Sequence, residues 1–248
     1  MAWYAYCLTE LQTLSNGVRS RRPFVLEGIQ GISNAPVLSY PSGEFAVVVS
    51  EFERGKDVLD QKALIDHARV VSLCFRQGTV LPFRFGTVFE SDDALRQAVR
   101  SNRRAFGQSV EKLRGKAEMH LKLVVRDGSL KEAMTEVILP DTVGSEYLSK
   151  LRVKAARERE RQTKARAISV QVHKLFNPLD AEVSCKKVDT DGMLIDIAHL
   201  IDSKSVEKYQ NRYNLAAKQL KNCELAISGP WPPYHFLPGK LRTVAGNS

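Results

Sequence analysis

"AEVSCKKVDTDGMLIDIAHLI", residues 181–201, reads as two strands folded back on each other. Apolar and polar residues alternate through "AEVSCKKV" and again through "GMLIDIAHLI", the period of a strand with one face buried. Between them "DTDG" carries the Asp-Gly pair that tight hairpin turns favour. Upstream, "AEMHLKLVVR" (Ala117–Arg126) supplies an earlier strand, and a long helix is expected from Ser145 to Phe176 with a break near Val172. Downstream, "SKSVEKYQNRYNLAAKQLK" reads as a helix and "CELAISG" as a last strand. Strand, helix, strand, strand, helix, strand is the ferredoxin-like split βαβ order, with helices on one face of an antiparallel sheet.

The first half follows another rhythm. "WYAYCL" reads as a strand, "TELQTLSNGVRSRR" as mostly loop, and "PFVLEGI", "PVLSY" and "EFAVVVSEF" as three short strands. A helix is expected from Asp60, with Leu64, Ala68, Val71 and Phe75 on its apolar face and Gly78 closing it. "TVLPFRFGTVF" is a strand with a glycine bend. Ser91 then caps a helix running to about Leu113, with Asp92 and Asp93 in its first turn. The expected fold class is α+β with two domains. Residues 1–115 form an N-terminal α+β domain. Residues 116–236 form a modified ferredoxin-like split βαβ domain with a long basic helix, ending in "GPWPPYHF", and residues 237–248 a flexible tail.

The 248 residues are 43% hydrophobic and 26% charged, the composition of a globular chain. No apolar run approaches the ~20 residues that span a bilayer, so no membrane partner is expected. "MAWYAYCLTE" lacks the basic start and apolar stretch of a signal peptide, which places the chain in the cytoplasm. Cys7, Cys74, Cys185 and Cys223 show no metal-ligand spacing and read as buried thiols. His67, His120, His173, His199 and His235 are scattered, without HExxH or HxH. There is no phosphate loop, dinucleotide fingerprint or nucleophile elbow. A pair of His67 with Cys74 would be separated by about two helical turns, roughly 10 Å, so a helix histidine partly buried in the core is the simpler reading. No enzyme, cofactor or metal is expected.

The net charge of +9 is densest in "KLRVKAARERERQTKAR", residues 150–166. Lys150, Arg152, Lys154, Arg157, Arg161 and Lys164 form a candidate basic face on a helix whose apolar stripe shrinks to Val153 and alanines. Leu148, Leu151, Ile168 and Leu175 are expected to pack its ends on the sheet. The face is open to three readings: a solvated surface, a dock for an acidic protein, or a non-specific nucleic-acid contact. The strands "HLKLVV" and "GMLIDIAHL" carry no aromatic ring on which bases could stack, which makes nucleic acid an unlikely partner. In "VLPFRFGTVF", Leu81, Phe83 and Phe85 alternate onto one face as core. Pro82 marks an edge or a strand start, and Arg84 points the opposite way. Arg84 either pairs with a carboxylate or carbonyls at a domain junction or extends to water.

Three segments read together resemble the GvpL/GvpF family of gas vesicle proteins: "VLPFRFGTVFES" (Val80–Ser91), "DHARVV" on the preceding helix, and "GPWPPYHF" (Gly229–Phe236). Tyr4 and Tyr6, His67, Leu81–Phe89 and Gly229–Phe236 match a "YxY"-like strand, a histidine-bearing helix, "LPxRFGTxF" and "GPWPPYxF". The resemblance covers nearly the whole chain. One departure is "EMHLKLVV" at Glu118–Val125, where members often carry "EWGxKV". The resemblance implies a non-enzymatic accessory or minor structural protein, associated with gas vesicles in the cytoplasm. It would take part in assembly by binding the hydrophobic shell protein and other accessory proteins, through an exposed surface at the domain junction. The alternative is a basic adaptor that binds nucleic acid through the Lys150–Arg166 helix. Phe83, Arg84, Phe85, Trp231, Tyr234 and Phe236 are candidate interdomain or partner contacts. Pro230, Pro232 and Pro233 hold the last segment extended, and Gly229 is expected to end the strand before it. The rings of Trp231, Tyr234 and Phe236 then either clamp onto the N-terminal domain near "PFRFG" or serve as a handle for a partner.

Overall fold

The computed structural model describes residues 1–14, 22–53, 55, 58–125, 149–156, 159–160, 163, 167, 170, 174–176, 180–186, 193–220 and 223–237. The chain divides into two compact units: Met1–Glu118 joined by the segment from Pro230, and Met119–Gly229. The sequence places the break near residue 115 and leaves "PWPPYHF" with the second domain. The segment groups with the first unit because Tyr234 packs on that unit's core and His235 bonds Glu118.

The first unit is built on an antiparallel six-stranded sheet. Its strands are β1 (Ala2–Glu10), β2 (Phe24–Gln30), β3 (Pro36–Ser42), β4 (Phe45–Phe52), β5 (Val80–Pro82) and β6 (Val88–Phe89). The order is β2-β3-β4-β1-β5, with β6 also pairing β1. Pro82 therefore sits on an edge strand, where its missing N–H breaks no ladder. From Trp3 to Thr9 every residue of β1 is buried, because both faces of the sheet are covered. Tyr4 and Tyr6 point into a core shared with α1 (Gln61–Gln77). Trp3, one residue along and on the other face, donates its indole N–H to Asp92 of α2 (Asp92–Ser101) at 2.8 Å.

Two expectations about the helices change. The buried stripe of α1 is Ala63, Asp66, His67, Val70, Val71 and Cys74, while Leu64 and Ala68 face outward. The helix is turned by about one residue from its hydropathy stripe because polar groups hold the inner face. His67 meets the hydroxyl of Tyr4 at 2.9 Å, and Asp66 is bridged by Lys62 and Arg69, each at 2.8 Å. Asp60 caps this helix by accepting from the Ala63 N–H at 2.8 Å. The helix expected to run from Ser91 to Leu113 is two: α2, and α3 (Arg103–Leu113). They part at Asn102, whose φ of −107° and ψ of 9° leave the helical region while its amide donates to the Ala98 carbonyl at 2.9 Å. Phe106 of α3 packs against Phe45 and Phe83, with ring centroids 6.1 and 6.5 Å away.

The second unit holds β7 (Lys116–Val125), β8 (Asp180–Lys186), β9 (Met193–Asp202) and β10 (Cys223–Trp231), in the order β10-β7-β9-β8. The first two residues of β7 and Glu118, and the last two residues of β10, belong to the first unit. The antiparallel β8–β9 pair runs from Asp180↔Ile201 to Lys186↔Asp196, the hairpin read around residue 190. Helix α4 (Val206–Gln219) buries Tyr209 and Ala216 in a core with Met119, Leu121, Leu123, Phe176, Ile197 and Ile201. Residues 149–156 are helical. Leu151, expected against the sheet, is exposed, since a stretch this basic offers too few apolar neighbours to bury it. Leu175 does pack on the core. Leu148, Ile168, Arg157, Arg161, Lys164, the break near Val172, the Asp-Gly turn and the tail from Pro238 lie outside the described residues. Among the described residues no helix is long and apolar enough to cross a membrane.

Gly31 lies where β2 turns towards β3. A Cβ there would collide with the Tyr6 hydroxyl and Ser50 Oγ, because Tyr6 accepts the Ile32 N–H at 2.9 Å and donates to Ser50 at 3.1 Å. Gly31→Ala should therefore lower stability by about 1–3 kcal/mol, read from the denaturant midpoint. Gly107, inside α3 with open space at its Cβ position, is the control. Gly107→Ala should raise stability by about 0.5–1 kcal/mol through helix propensity.

Candidate functional site

The "RFGT" motif folds as a turn joining β5 to β6. The Thr87 N–H bonds the Arg84 carbonyl at 3.1 Å, and the Thr87 hydroxyl donates to the same carbonyl at 2.7 Å. Gly86, third in the turn, has φ +86°, the left-handed value that favours glycine there. Its N–H donates to the hydroxyl of Tyr4 at 3.1 Å. That oxygen also lies 2.9 Å from His67 Nδ1. Tyr4 and His67 share one hydrogen in this bond, its direction being set by the imidazole tautomer. Burial lowers the His67 pKa to about 4, an effect partly offset by the nearby Phe83 backbone. Burial likewise raises the phenols of Tyr4 and Tyr6, so the cluster is held uncharged.

The residues quoted from the motifs are thus brought together, but as interior joints. Phe85 stacks edge-on with Tyr4 and His67, at centroid distances of 6.4 and 5.9 Å. Phe83 contacts Phe89 and Phe106 on the opposite face of the sheet. The expectation that Leu81, Phe83 and Phe85 share one face is corrected here: the strand stops at Pro82, and the turn carries Phe85 to the α1 side. Arg84 is exposed at the turn and has no ion pair among the described residues. Cys74, considered with His67 as a nucleophile pair, is buried in the same core as Cys7, whose thiol burial pushes far up in pKa. Neither thiol is in the electropositive setting that makes a cysteine reactive.

The closing segment leaves β10 through Gly229 (φ +122°), which lies inside the strand two residues before its end at Trp231. The sequence expectation ends the strand at Gly229; the left-handed backbone there bends the strand without stopping its pairing. Pro232 and Pro233 are buried, and Tyr234–Phe236 make a single 3-10 turn. Phe236 is buried and Tyr234 packs on the core around Tyr4 and Cys7, which raises its phenol pKa mainly through burial. Trp231 differs from both, being 44% exposed. The anchor that composition does not reveal is Glu118. Its carboxylate is 1% exposed and accepts the His235 N–H at 2.8 Å, while its other oxygen lies 2.7 Å from His235 Nδ1. A glutamate three residues into β7 gives no sequence signal of that pairing. The only pointer is that it lies in the same strand segment as the departure from "EWGxKV".

Of the basic face, Lys150, Arg152 and Lys154 lie exposed on the helical run at residues 149–156.

This arrangement of sheets and helices is a known one. The chain superposes on the crystal structure of the gas vesicle protein GvpF from Anabaena sp. PCC7120 with a TM-score of 0.73, at 18% identity, over 96% of this chain and 98% of that one. GvpF from Microcystis aeruginosa matches with a TM-score of 0.70, at 21% identity, over 96% and 99%. These likenesses define the fold class. In sequence, gas vesicle protein L of a Streptomyces species is 24% identical over 87% of this chain and 89% of that protein. Gas vesicle protein F1 of Halobacterium salinarum is 21% identical over 94% and 92%. The profile of the family described as gas vesicle synthesis protein GvpL/GvpF matches residues 2–238, and the chain belongs to that family.

Two measurements check the site's physics. The folded state keeps His67 neutral down to pH about 4, whereas the unfolded chain protonates it near 6.5. Its contribution is therefore fully present above pH 6.5 and falls away towards pH 4, a loss of about 3 kcal/mol. Denaturant titrations across that window should show His67→Gln lacking this part of the slope. In the closing segment, Phe236→Ala should cost about 3–5 kcal/mol and Glu118→Ala about 2–3 kcal/mol, by loss of packing and of charge-assisted hydrogen bonds. Trp231→Ala should stay within about 1 kcal/mol of wild type in the same melts.

Proposed function

We propose that the protein is a non-enzymatic gas vesicle assembly factor that binds the hydrophobic shell protein, and other accessory proteins, in the cytoplasm. The observation carrying this reading is the family match over residues 2–238, which supports a gas-vesicle role for the whole chain. A subunit destined for a gas-facing wall must keep its apolar face covered before it is incorporated. A surface suited to that task lies at the start of α1. Val58, Leu59, Leu64 and Ile65 are all exposed, Ile65 by 62%, within eight residues of chain. Four large aliphatics so close together resemble an interaction patch more than the scattered apolar residues of an ordinary surface. The strand order β10-β7-β9-β8 supports reading the second unit as the modified ferredoxin-like arrangement, with the basic helix as its crossover.

The test is co-expression of this chain with a small hydrophobic gas vesicle shell protein, followed by affinity purification under mild conditions. The shell protein should co-purify with the wild type. Recovery should fall at least roughly fivefold with Leu64→Asp/Ile65→Asp, a substitution of about the size that removes a small hot spot. Absence of the shell protein from the wild-type eluate would refute the reading. Equal recovery with the double variant would place binding elsewhere.

A further inference from the structure

A second surface of the first unit has a different chemistry. The turn between β3 and β4 and the outer side of α2 and α3 enclose an open groove of ≈ 650 Å³. Its floor is apolar, from Pro41, Phe45 and Val99. Its wall is three guanidinium groups, Arg96, Arg100 and Arg103, spaced four and three residues apart on one side of the helices. The break at Asn102 leaves that row intact.

The guanidinium groups are held ready for a ligand. Arg96 donates through Nε to the Tyr40 hydroxyl at 3.0 Å and lies 5.5 Å over the Tyr40 ring. Tyr40 is itself fixed by donating to Asp92 at 2.6 Å. Arg103 donates through Nε to Glu44 at 2.7 Å. In both, the Nη edge of the fork has no hydrogen-bond partner among the described residues. Arg100, between them, has no ion pair among the described residues. Against three positive groups the groove sets one carboxylate, Glu44. Asp92 is already engaged by Trp3 and Tyr40, and Asp93 lies near Arg96 at the helix start. An Arg fork with its Nη edge open matches a planar carboxylate in bidentate fashion.

From this geometry we infer that the groove is a docking site for an acidic peptide segment of a partner protein, its carboxylates on Arg96, Arg100 and Arg103 and its intervening side chains on the apolar floor. The Arg103–Glu44 pair shows that a carboxylate is accepted at this wall, through Nε, with the Nη edge left for a ligand. Among its described residues the groove offers no ring on which a base could stack, since Tyr40 beneath Arg96 and Phe45 in the floor are both buried, and this favours a peptide over single-stranded nucleic acid. The inference does not depend on the gas-vesicle reading.

The test uses the full chain and a short fluorescein-labelled peptide of alternating Glu and Ala, with the Gln–Ala peptide as control, followed by anisotropy at low salt. The acidic peptide should bind saturably and the control should not. Arg100→Ala should weaken binding roughly five- to tenfold, with an unchanged melting temperature, since the side chain is exposed. Arg152→Ala, on the other basic stretch, should leave binding as it is. The proposal is overturned by no binding, or by equal losses in Arg100→Ala and Arg152→Ala, which would mean attraction by net charge alone. It is also overturned if a single-stranded oligonucleotide of matching charge displaces the peptide at lower concentration in an Arg100-dependent way.

Discussion

The first unit is organised around one oxygen atom, the hydroxyl of Tyr4. It accepts the Gly86 N–H at 3.1 Å and is hydrogen-bonded with His67 Nδ1 at 2.9 Å. A central strand, a long helix and a tight turn are thereby fixed to each other inside the core. The geometry leaves little freedom, because a buried donor or acceptor without a partner costs about 1–3 kcal/mol. Two features go with it: the outward turn of α1's hydropathy stripe and the separation of Phe83 and Phe85 onto opposite sides of the sheet. Tyr6 repeats the device two residues on, with Ile32 and Ser50 as partners.

A family is often recognised by residues that look chemical: tyrosines, a histidine, an arginine beside a glycine. Here the tyrosines and the histidine are spent on architecture. His67 is inside the protein with its basicity suppressed, and Cys74, on the same helical face, is buried in the core. What the surface offers is of another kind: four aliphatics at the start of α1, and a row of arginines over an apolar floor. Surfaces of these two kinds suit a protein that handles other proteins, since aliphatic patches supply affinity and arginine forks supply register.

Much of this was legible from the residues. Alternation placed β8 and β9, Gly and Pro punctuation marked off β2 to β4, and the helix starts read near Asp60 and at Ser91 are where those side chains cap the helices. The misreadings share a cause. Hydropathy assigned Leu64 and Ala68 to the inner face of α1. The burial of His67 is legible in the sequence, but a count of apolar residues does not anticipate that Asp66 turns inward beside it. Asn102 scores as a tolerable helix residue, yet its amide competes for the Ala98 carbonyl and parts α2 from α3. Glu118 was invisible, since its partner lies 117 residues away and only tertiary structure pairs them. The arginine groove was hidden for a related reason. Arg96, Arg100 and Arg103 read as ordinary solvated helix charges until the β3–β4 turn is seen beside them.

The return of residues 230–237 to the first unit bears on the order of events at the ribosome. A chain emerging from its N-terminus usually completes its domains in sequence. Here the buried carboxylate of Glu118 gains its His235 partner only after the whole of Met119–Gly229 has been synthesised. The later-made unit is therefore free to fold before the earlier one is finished. Until then Glu118 and the core around Tyr4 and Cys7 lack the partners that His235 and Tyr234 supply.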